Sequence, residues 1–331
     1  MSKQPMDPYT HMGIVLNPNG TVTSTLHFPT TPPSSDDPTL PALTKDLTIN
    51  PQNNIWLRLF LPTNPNPNPN PKLPLIIFFH GSGFVICSAA STMFDDFCLA
   101  TSAALPAVIA SVEYRLAPEH RLPAAYEDAA EALTFIRNSD DEWLTKHADI
   151  GNCYLMGNSA GGTIAYFAGL RAAERALDLE PLKIRGLILR QPFFGGTHRT
   201  ESEVRLEFHD FLPLCVSDLL WELALPVGAD RDHEYANLRA ENWVGKLGRV
   251  RELGWRVLVS ANHGDPLVDR CKELVGLLEE NGVQVATDFE EEGGHGVEFQ
   301  DAGKASNLID LVKRFVLFQR RVSYAEDPHH A

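Results

Sequence analysis

The stretch Cys153–Ala176, CYLMGNSAGGTIAYFAGLRAAERA, decides how the rest of the chain is read. It opens on a short apolar run suited to a buried strand, passes through Gly157-Asn158-Ser159-Ala160-Gly161, and continues from Gly161 to Ala176 as a helix-forming segment. The five central residues match G-x-S-x-G. Alone, that pattern arises by chance in about one chain in ten of this length at average glycine and serine usage. A strand running in and a helix running out, however, are what holds such a serine on a sharp turn with its hydroxyl clear of the sheet. Glycines two positions either side fit that turn, because side chains there collide with the flanking strand and helix. The turn also puts the N–H of Ala160 at a helix N-terminus, where it can face developing negative charge. The plainer alternative is a glycine- and serine-rich turn without chemistry.

Working outward, Leu73–Phe79 (LPLIIFF) is a continuous apolar run, the mark of a strand buried on both faces. Ala107–Val112 (AVIASV), Ile184–Leu189 (IRGLIL) and Trp255–Ser260 (WRVLVS) are similar, and Val283–Phe289 (VQVATDF) is a weaker case. Asn53–Leu61 alternates well enough for a further strand. Helical stretches fall at Ala124–Arg137, Gly161–Ala176 and Val268–Glu280. Strands alternating with helices predict an α/β fold with a mainly parallel sheet. Thr63–Pro71 (TNPNPNPNP) suits neither helix nor interior strand, because alternate residues lack an N–H and restrict their neighbours, so it reads as a surface connection. The first 40 or so residues, rich in Pro, Thr, Ser and Asp, read as a flexible leader or as a segment folded over something else. From Thr197 to about Lys246 the rhythm breaks, with helical pieces such as Val216–Leu225 and no clear strand. This region reads as an insertion over the C-terminal edge of the sheet, where open α/β sheets place ligands, the alternative being an excursion without ligand contact.

The 331 residues are 44% hydrophobic and 21% charged, enough for a sizeable core in one large or two ordinary domains. Forty-three acidic against 28 basic residues give a formal net charge of -15, which repels phosphate backbones and anionic lipid. Nucleic-acid and peripheral membrane partners are therefore not expected, and the acidity itself reads as a solubility feature. No apolar run reaches the ~20 residues that span a bilayer, and MSKQPMDPYTHMG lacks the apolar stretch of a secretory signal. Cys87, Cys98, Cys153, Cys215 and Cys271 show no CxxC and no metal-like spacing; an odd number suggests reduced thiols and a cytosolic location.

His80-Gly81-Ser82-Gly83-Phe84 follows directly after the strand LPLIIFF. Small residues there let backbone approach a ligand, and the consecutive N–H groups of Gly81, Ser82 and Gly83 can converge on one oxygen. A serine hydroxyl is a weak nucleophile that needs a base, and histidine, with a reference pKa near 6.5, suits the task. Of twelve histidines, His295 stands apart, in a glycine-rich turn (Gly293-Gly294-His295-Gly296) after the last expected strand. Asp265 follows the strand WRVLVS and is the expected carboxylate partner; as Asp before Pro at a helix start it also reads as an N-cap, a compatible role. Asp269 is the rival, four residues further on. The order Ser, Asp, His is that of the α/β-hydrolases. Phe84, Phe193, Phe194, Phe208 and Phe211 read equally as pocket lining or core, and Tyr114 and Arg115 as a structural bonding network.

With these motifs in place the sequence resembles the plant carboxylesterases of the hormone-sensitive-lipase-like branch of the α/β-hydrolases. The matching residues are HGSGF at His80–Phe84, YRLAPEHRLPAAYEDA at Tyr114–Ala129, GNSAGG at Gly157–Gly162, DPLVD at Asp265–Asp269 and HG at His295–Gly296, within a likeness running from about Met12 to Phe318. The resemblance implies one α/β-hydrolase domain, a mainly parallel sheet flanked by helices, with a helical cap from residues 1 to about 40 and about 197–246. It implies a triad of Ser159, Asp265 and His295, oxyanion donors on the backbone of Ser82, Gly83 and Ala160, and hydrolysis of small-molecule carboxylic esters without cofactor or metal. Two positions depart from the family: Ser82 stands where HGGG has its middle glycine, so it must adopt that glycine's φ/ψ, and Asn158 stands where an acidic residue is common. Gibberellin receptors resemble the family but lack the histidine, and the related isoflavanone dehydratases carry threonine for the serine; His295 and Ser159 favour ester hydrolysis over capture or elimination.

Overall fold

The structure, a computed structural model, describes residues 6–63 and 72–317. It begins with a short helix, α1 (Pro8–Met12), whose first turn is capped by Asp7, and a small antiparallel hairpin of β1 (Ile14–Leu16) and β2 (Val22–Ser24). The main sheet comprises β3 (Ala42–Asn50), β4 (Ile55–Pro62), β5 (Leu73–Phe79), β6 (Val108–Glu113), β7 (Ala148–Asn158), β8 (Ile184–Arg190), β9 (Arg256–Asn262) and β10 (Gln284–Glu290). Their spatial order is β3-β4-β6-β5-β7-β8-β9-β10. Pairings from β6 through β10 are parallel, and β4 runs antiparallel to both β3 and β6. This is the α/β-hydrolase arrangement. The helices that follow α1 are α2 (Thr92–Ala104), α3 (Ala124–Asn138), α4 (Ala160–Glu174), α5 (Glu201–Arg205), α6 (Leu214–Ala224), α7 (Glu241–Val244), α8 (Leu247–Glu252), α9 (Val268–Glu280) and α10 (Ala302–Leu317).

The continuous apolar run of β5 is explained by two cores. Leu75, Ile77 and Phe79 face one, shared with α3, α4 and α9, while Ile76 and Phe78 face the other, shared with α2 and α10. Val268–Glu280 is helical over the expected range, and β7 extends the expected Cys153–Met156 at both ends. The edge strand β3 was not expected: ALTKDLTIN sits at the sheet's margin, where half-exposed polar positions dilute its pattern. Helices α2 and α10 were also unanticipated. The asparagine–proline run after Thr63 lies outside the described residues. No helix among the described residues is long and apolar enough to cross a membrane.

The block Tyr114–Ala129 ties outlying segments to the sheet. Glu119 accepts the N–H of Val22 in the hairpin at 2.7 Å, and Arg121 donates to the carbonyls of Glu222 and Leu225 at the end of α6, both at 2.6 Å. Arg115 holds Asp128 through its guanidinium, 2.6 Å at the shortest. These bonds give the block a structural role, as expected of Tyr114 and Arg115.

The contact that sets the site's geometry is between α4 and β5. A Cβ at Gly161 would lie 1.9 Å from the carbonyl oxygen of Phe79, and one at Gly157 would lie 2.1 Å from that of Gly161. Backbone meets backbone, so neither neighbour can swing away. Gly161→Ala is expected to lower the unfolding free energy by about 3 kcal/mol or more in urea denaturation. Gly276→Ala, in the middle of α9 with open space at the Cβ position, is expected to raise it by about 0.5–1 kcal/mol. Equal effects of the two would refute the steric argument.

Candidate active site

Ser159 joins β7 to α4 with φ 52° and ψ −125°, a conformation that costs a non-glycine residue on the order of 1–3 kcal/mol. The turn is held on both sides: its N–H donates to the carbonyl of Arg190 at 2.9 Å, and its carbonyl accepts the N–H of Phe193 at 3.0 Å. The hydroxyl meets Nε2 of His295 at 2.9 Å. Nδ1 of the same imidazole lies 3.1 Å from each carboxylate oxygen of Asp265. A carboxylate only accepts, so Nδ1 carries the proton and Nε2 presents its lone pair to the serine O–H. Asp265 is fully buried and His295 is 5% exposed, so the array is screened from water.

Asp265 precedes α9 rather than capping it, although its Oδ1 also accepts the N–H of Leu267 at 2.9 Å. The rival Asp269 is turned elsewhere, accepting the N–H of Ser202 in α5 at 2.7 Å. The structure thus brings Ser159, His295 and Asp265 together and leaves Asp269 out.

The loop after β5 lies against the serine. A Cβ on Gly81 would be 3.2 Å from that of Ser159 and 2.9 Å from Nδ2 of Asn158. Ser82, Gly83 and Phe84 follow at φ 78°, 65° and 68°. Ser82 therefore adopts the left-handed backbone required of it. The loop's carbonyls are engaged: Tyr114 Oη donates to those of His80 (2.9 Å) and Gly81 (3.2 Å), Ser82 O accepts from Val85 N (3.2 Å), and Phe84 O accepts from Ala117 N (2.8 Å). The N–H groups of Gly81, Ser82, Gly83 and Ala160 donate to no protein acceptor among the described residues. These donors lie in the loop beside Ser159 and at the first turn of α4 that follows it.

Sequence reasoning missed what holds the histidine. Gln191, the residue after β8, is 1% exposed with φ 46°; its Nε2 donates to the carbonyl of Gly294 at 3.0 Å and its Oε1 accepts the N–H of Gly296 at 2.9 Å. One side-chain amide thus clamps the backbone on both sides of His295. Asn262 joins it, its Oδ1 accepting from Gln191 at 3.1 Å and its Nδ2 donating to the carbonyl of Glu292 at 2.7 Å. Behind them Arg190 pairs with Glu298 at 3.3 Å and donates to Asn262. The available signal was position alone, since Gln191 and Asn262 stand at the C-terminal ends of adjacent parallel strands.

Above the serine lies a cavity of about 290 Å³ with mainly apolar walls. Of the phenylalanines singled out from sequence, Phe193 and Phe211 line it. Phe84 and Phe194 are core residues, packed respectively on Trp221 and Tyr166, and Phe208 is exposed. The N-terminal segment supplies His11, Met12, Leu26 and Phe28, and the insertion supplies residues 210–212 and Leu220.

A family model described as an alpha/beta hydrolase fold matches residues 76–299. Carboxylesterase 20 of Arabidopsis thaliana is 45% identical over 315 residues, 94% of this chain and 96% of that protein. A 3-O-acetylpapaveroxine carboxylesterase of Papaver somniferum is 43% identical over 321 residues, 94% of this chain and 98% of its own length. Among solved structures, a thermostable carboxylesterase cloned from a metagenomic library has a similar fold, with TM-score 0.69 at 24% identity over 86% of this chain and 90% of that one.

Two outcomes follow from the site's supports. Gln191→Leu fills the space and removes both clamps, so kcat for a simple ester is expected to fall about 10- to 100-fold while the protein stays folded by circular dichroism; an unaltered kcat would show that the histidine loop needs no clamp. His80 is fully buried, and burial pushes its pKa down to about 4. Between that value and the reference 6.5 the unfolded chain binds a proton that the folded protein excludes, so His80 makes stability rise with pH across this window and fall as acid is added. Urea midpoints from pH 4 to 6.5 are expected to show a shallower rise, by about one proton's worth, in His80→Phe.

Proposed function

We propose how this chain, which belongs to the α/β-hydrolase family and is a carboxylesterase similar to those of plants, performs ester hydrolysis: Ser159 is the nucleophile, His295 the general base and Asp265 the group that orients the imidazole. The single observation that carries the assignment is the unbroken line from Ser159 Oγ to His295 Nε2 at 2.9 Å and from Nδ1 to the Asp265 carboxylate at 3.1 Å. As Oγ attacks the ester carbonyl, its proton passes to Nε2, and the buried carboxylate stabilises the imidazolium. The tetrahedral oxyanion is taken up by the free N–H groups of Gly81, Ser82, Gly83 and Ala160. These act in an apolar surround where dipoles are worth more than in water. The imidazolium returns its proton to the leaving alkoxide, releasing the alcohol and leaving an acyl-serine. Water, deprotonated by the same base, then attacks the acyl-serine, and the imidazolium returns that proton to Oγ as the acid leaves.

The substrates are small esters whose bulk fits the cavity over Ser159. We read residues 1 to about 40 and about 197–246 as the cap, since both contribute walls to that cavity. Five free cysteines support a reducing, cytosolic location.

An organophosphate is expected to label Ser159, read by mass spectrometry, alongside hydrolysis of short p-nitrophenyl esters. Ser159→Ala is expected to abolish both, and Asp265→Asn to lower kcat by about 10³-fold or more. Labelling of folded protein without turnover points instead to elimination chemistry, and neither labelling nor turnover to ligand capture.

A further inference from the structure

The cavity walls are uneven in charge. Among the described residues that line it there is no Lys, Arg or Glu, and Cys87 is a thiol whose pKa burial pushes up. Apart from His11 and His295, the ionisable side chain left is Asp210. It stands exposed at the rim, and its carboxylate makes no hydrogen bond or ion pair among the described residues.

The turn that carries it is fixed. His209 Nδ1 accepts the N–H groups of Phe211 at 3.2 Å and Leu212 at 3.0 Å. A nitrogen that accepts two N–H bonds is unprotonated, and burial followed by the proximity of His295 lowers the pKa of His209. The adjacent imidazole therefore supplies Asp210 with no counter-charge. Phe211, on the same turn, also lines the cavity and is 51% exposed, with its ring centroid 6.1 Å from that of His295. A carboxylate and a half-exposed aromatic ring lining one cavity suit an ammonium group, through opposite charge and through the ring quadrupole. Asp210 lines the same cavity as the Ser159 hydroxyl.

We infer that Asp210 selects among esters by charge, favouring those with an ammonium group a few carbons from the scissile bond over neutral isosteres, and disfavouring those with a carboxylate there. This inference rests on the ester-hydrolase reading above. The chain's net charge of -15 works in the same direction but without locality, so the test separates the two.

The probes are the p-nitrophenyl ester of trimethylammoniobutyric acid, its uncharged tert-butyl isostere, and the p-nitrophenyl half-ester of glutaric acid, assayed at low ionic strength and about pH 8, above the reference imidazole pKa. The ratio of kcat/KM for cationic over neutral ester cancels intrinsic reactivity when variants are compared. It is expected to fall about fivefold in Asp210→Asn and further in Asp210→Lys, mainly through KM, and the difference is expected to shrink in high salt. The ratio for the anionic ester is expected to move the opposite way. Asp310→Asn, an exposed carboxylate on α10 outside the cavity, is expected to leave both ratios at the wild-type value. Ratios that do not move in either Asp210 variant, or that move as much in Asp310→Asn, overturn the inference. Turnover of the neutral isostere by the wild type, and its loss in Ser159→Ala, reports on the hydrolase reading separately.

Discussion

The site depends on one steric constraint: α4 must leave β7 so tightly that Gly161 touches the backbone of β5. A Cβ there would meet the carbonyl of Phe79 at 1.9 Å, so no side chain is admissible. The tightness throws Ser159 into a left-handed conformation with its hydroxyl above the sheet. It also brings the first N–H of α4 beside the loop that follows β5. Of the six non-glycine residues with positive φ among the described residues, Ser82, Phe84, Cys87, Ser159 and Gln191 lie in or next to the segments that build the site. Strain is concentrated around the proposed active site, and the parallel sheet beneath holds it there.

That sheet explains why groups far apart in sequence meet. Strands β5, β7, β8, β9 and β10 all run the same way, so their C-terminal ends form one edge. The loop of Gly81 to Gly83, then Ser159, Gln191, Asp265 and His295 are what those five ends carry, in order. Each is useful only with its neighbours. Gln191 engages the loop of His295 from the end of β8, across β9, and Arg190 with Glu298 and Asn262 fills the space behind with a buried polar set.

What could be read from the chain alone follows the same division. Strands buried on both faces declare themselves, as LPLIIFF does, and glycine-flanked residues at their ends declare close backbone approach. That is why Ser159, His295, Asp265 and the Gly81–Gly83 loop were visible. Strand β3 was hidden because an edge strand keeps polar residues on its open side. Gln191 was hidden because a buried glutamine is informative only through its partners, here Gly294 and Gly296, more than a hundred positions away. The cavity walls were hidden most completely. Met12, Leu26 and Phe28 come from a segment of weak periodicity, and that segment is tied down by bonds such as that from Val22 to Glu119.

In this carboxylesterase the groups we propose to react are mounted on strand ends packed on both faces, where a change of one side chain disturbs a core. Part of the cavity wall comes instead from the N-terminal segment and from α6 with the turn before it, which are tied to the rest of the molecule by bonds from Glu119 and Arg121, by backbone bonds such as Thr92 N to Pro29 O, and by α6 side chains in the core. Substitutions there alter shape and charge over Ser159 without passing through the β5–α4 contact. Near the serine the walls are apolar, which strengthens every dipole aimed at the oxyanion, and a formal charge placed there would compete with those dipoles. Charge that discriminates between substrates therefore belongs at the rim, beyond the reach of the oxyanion but within reach of the far end of the ester.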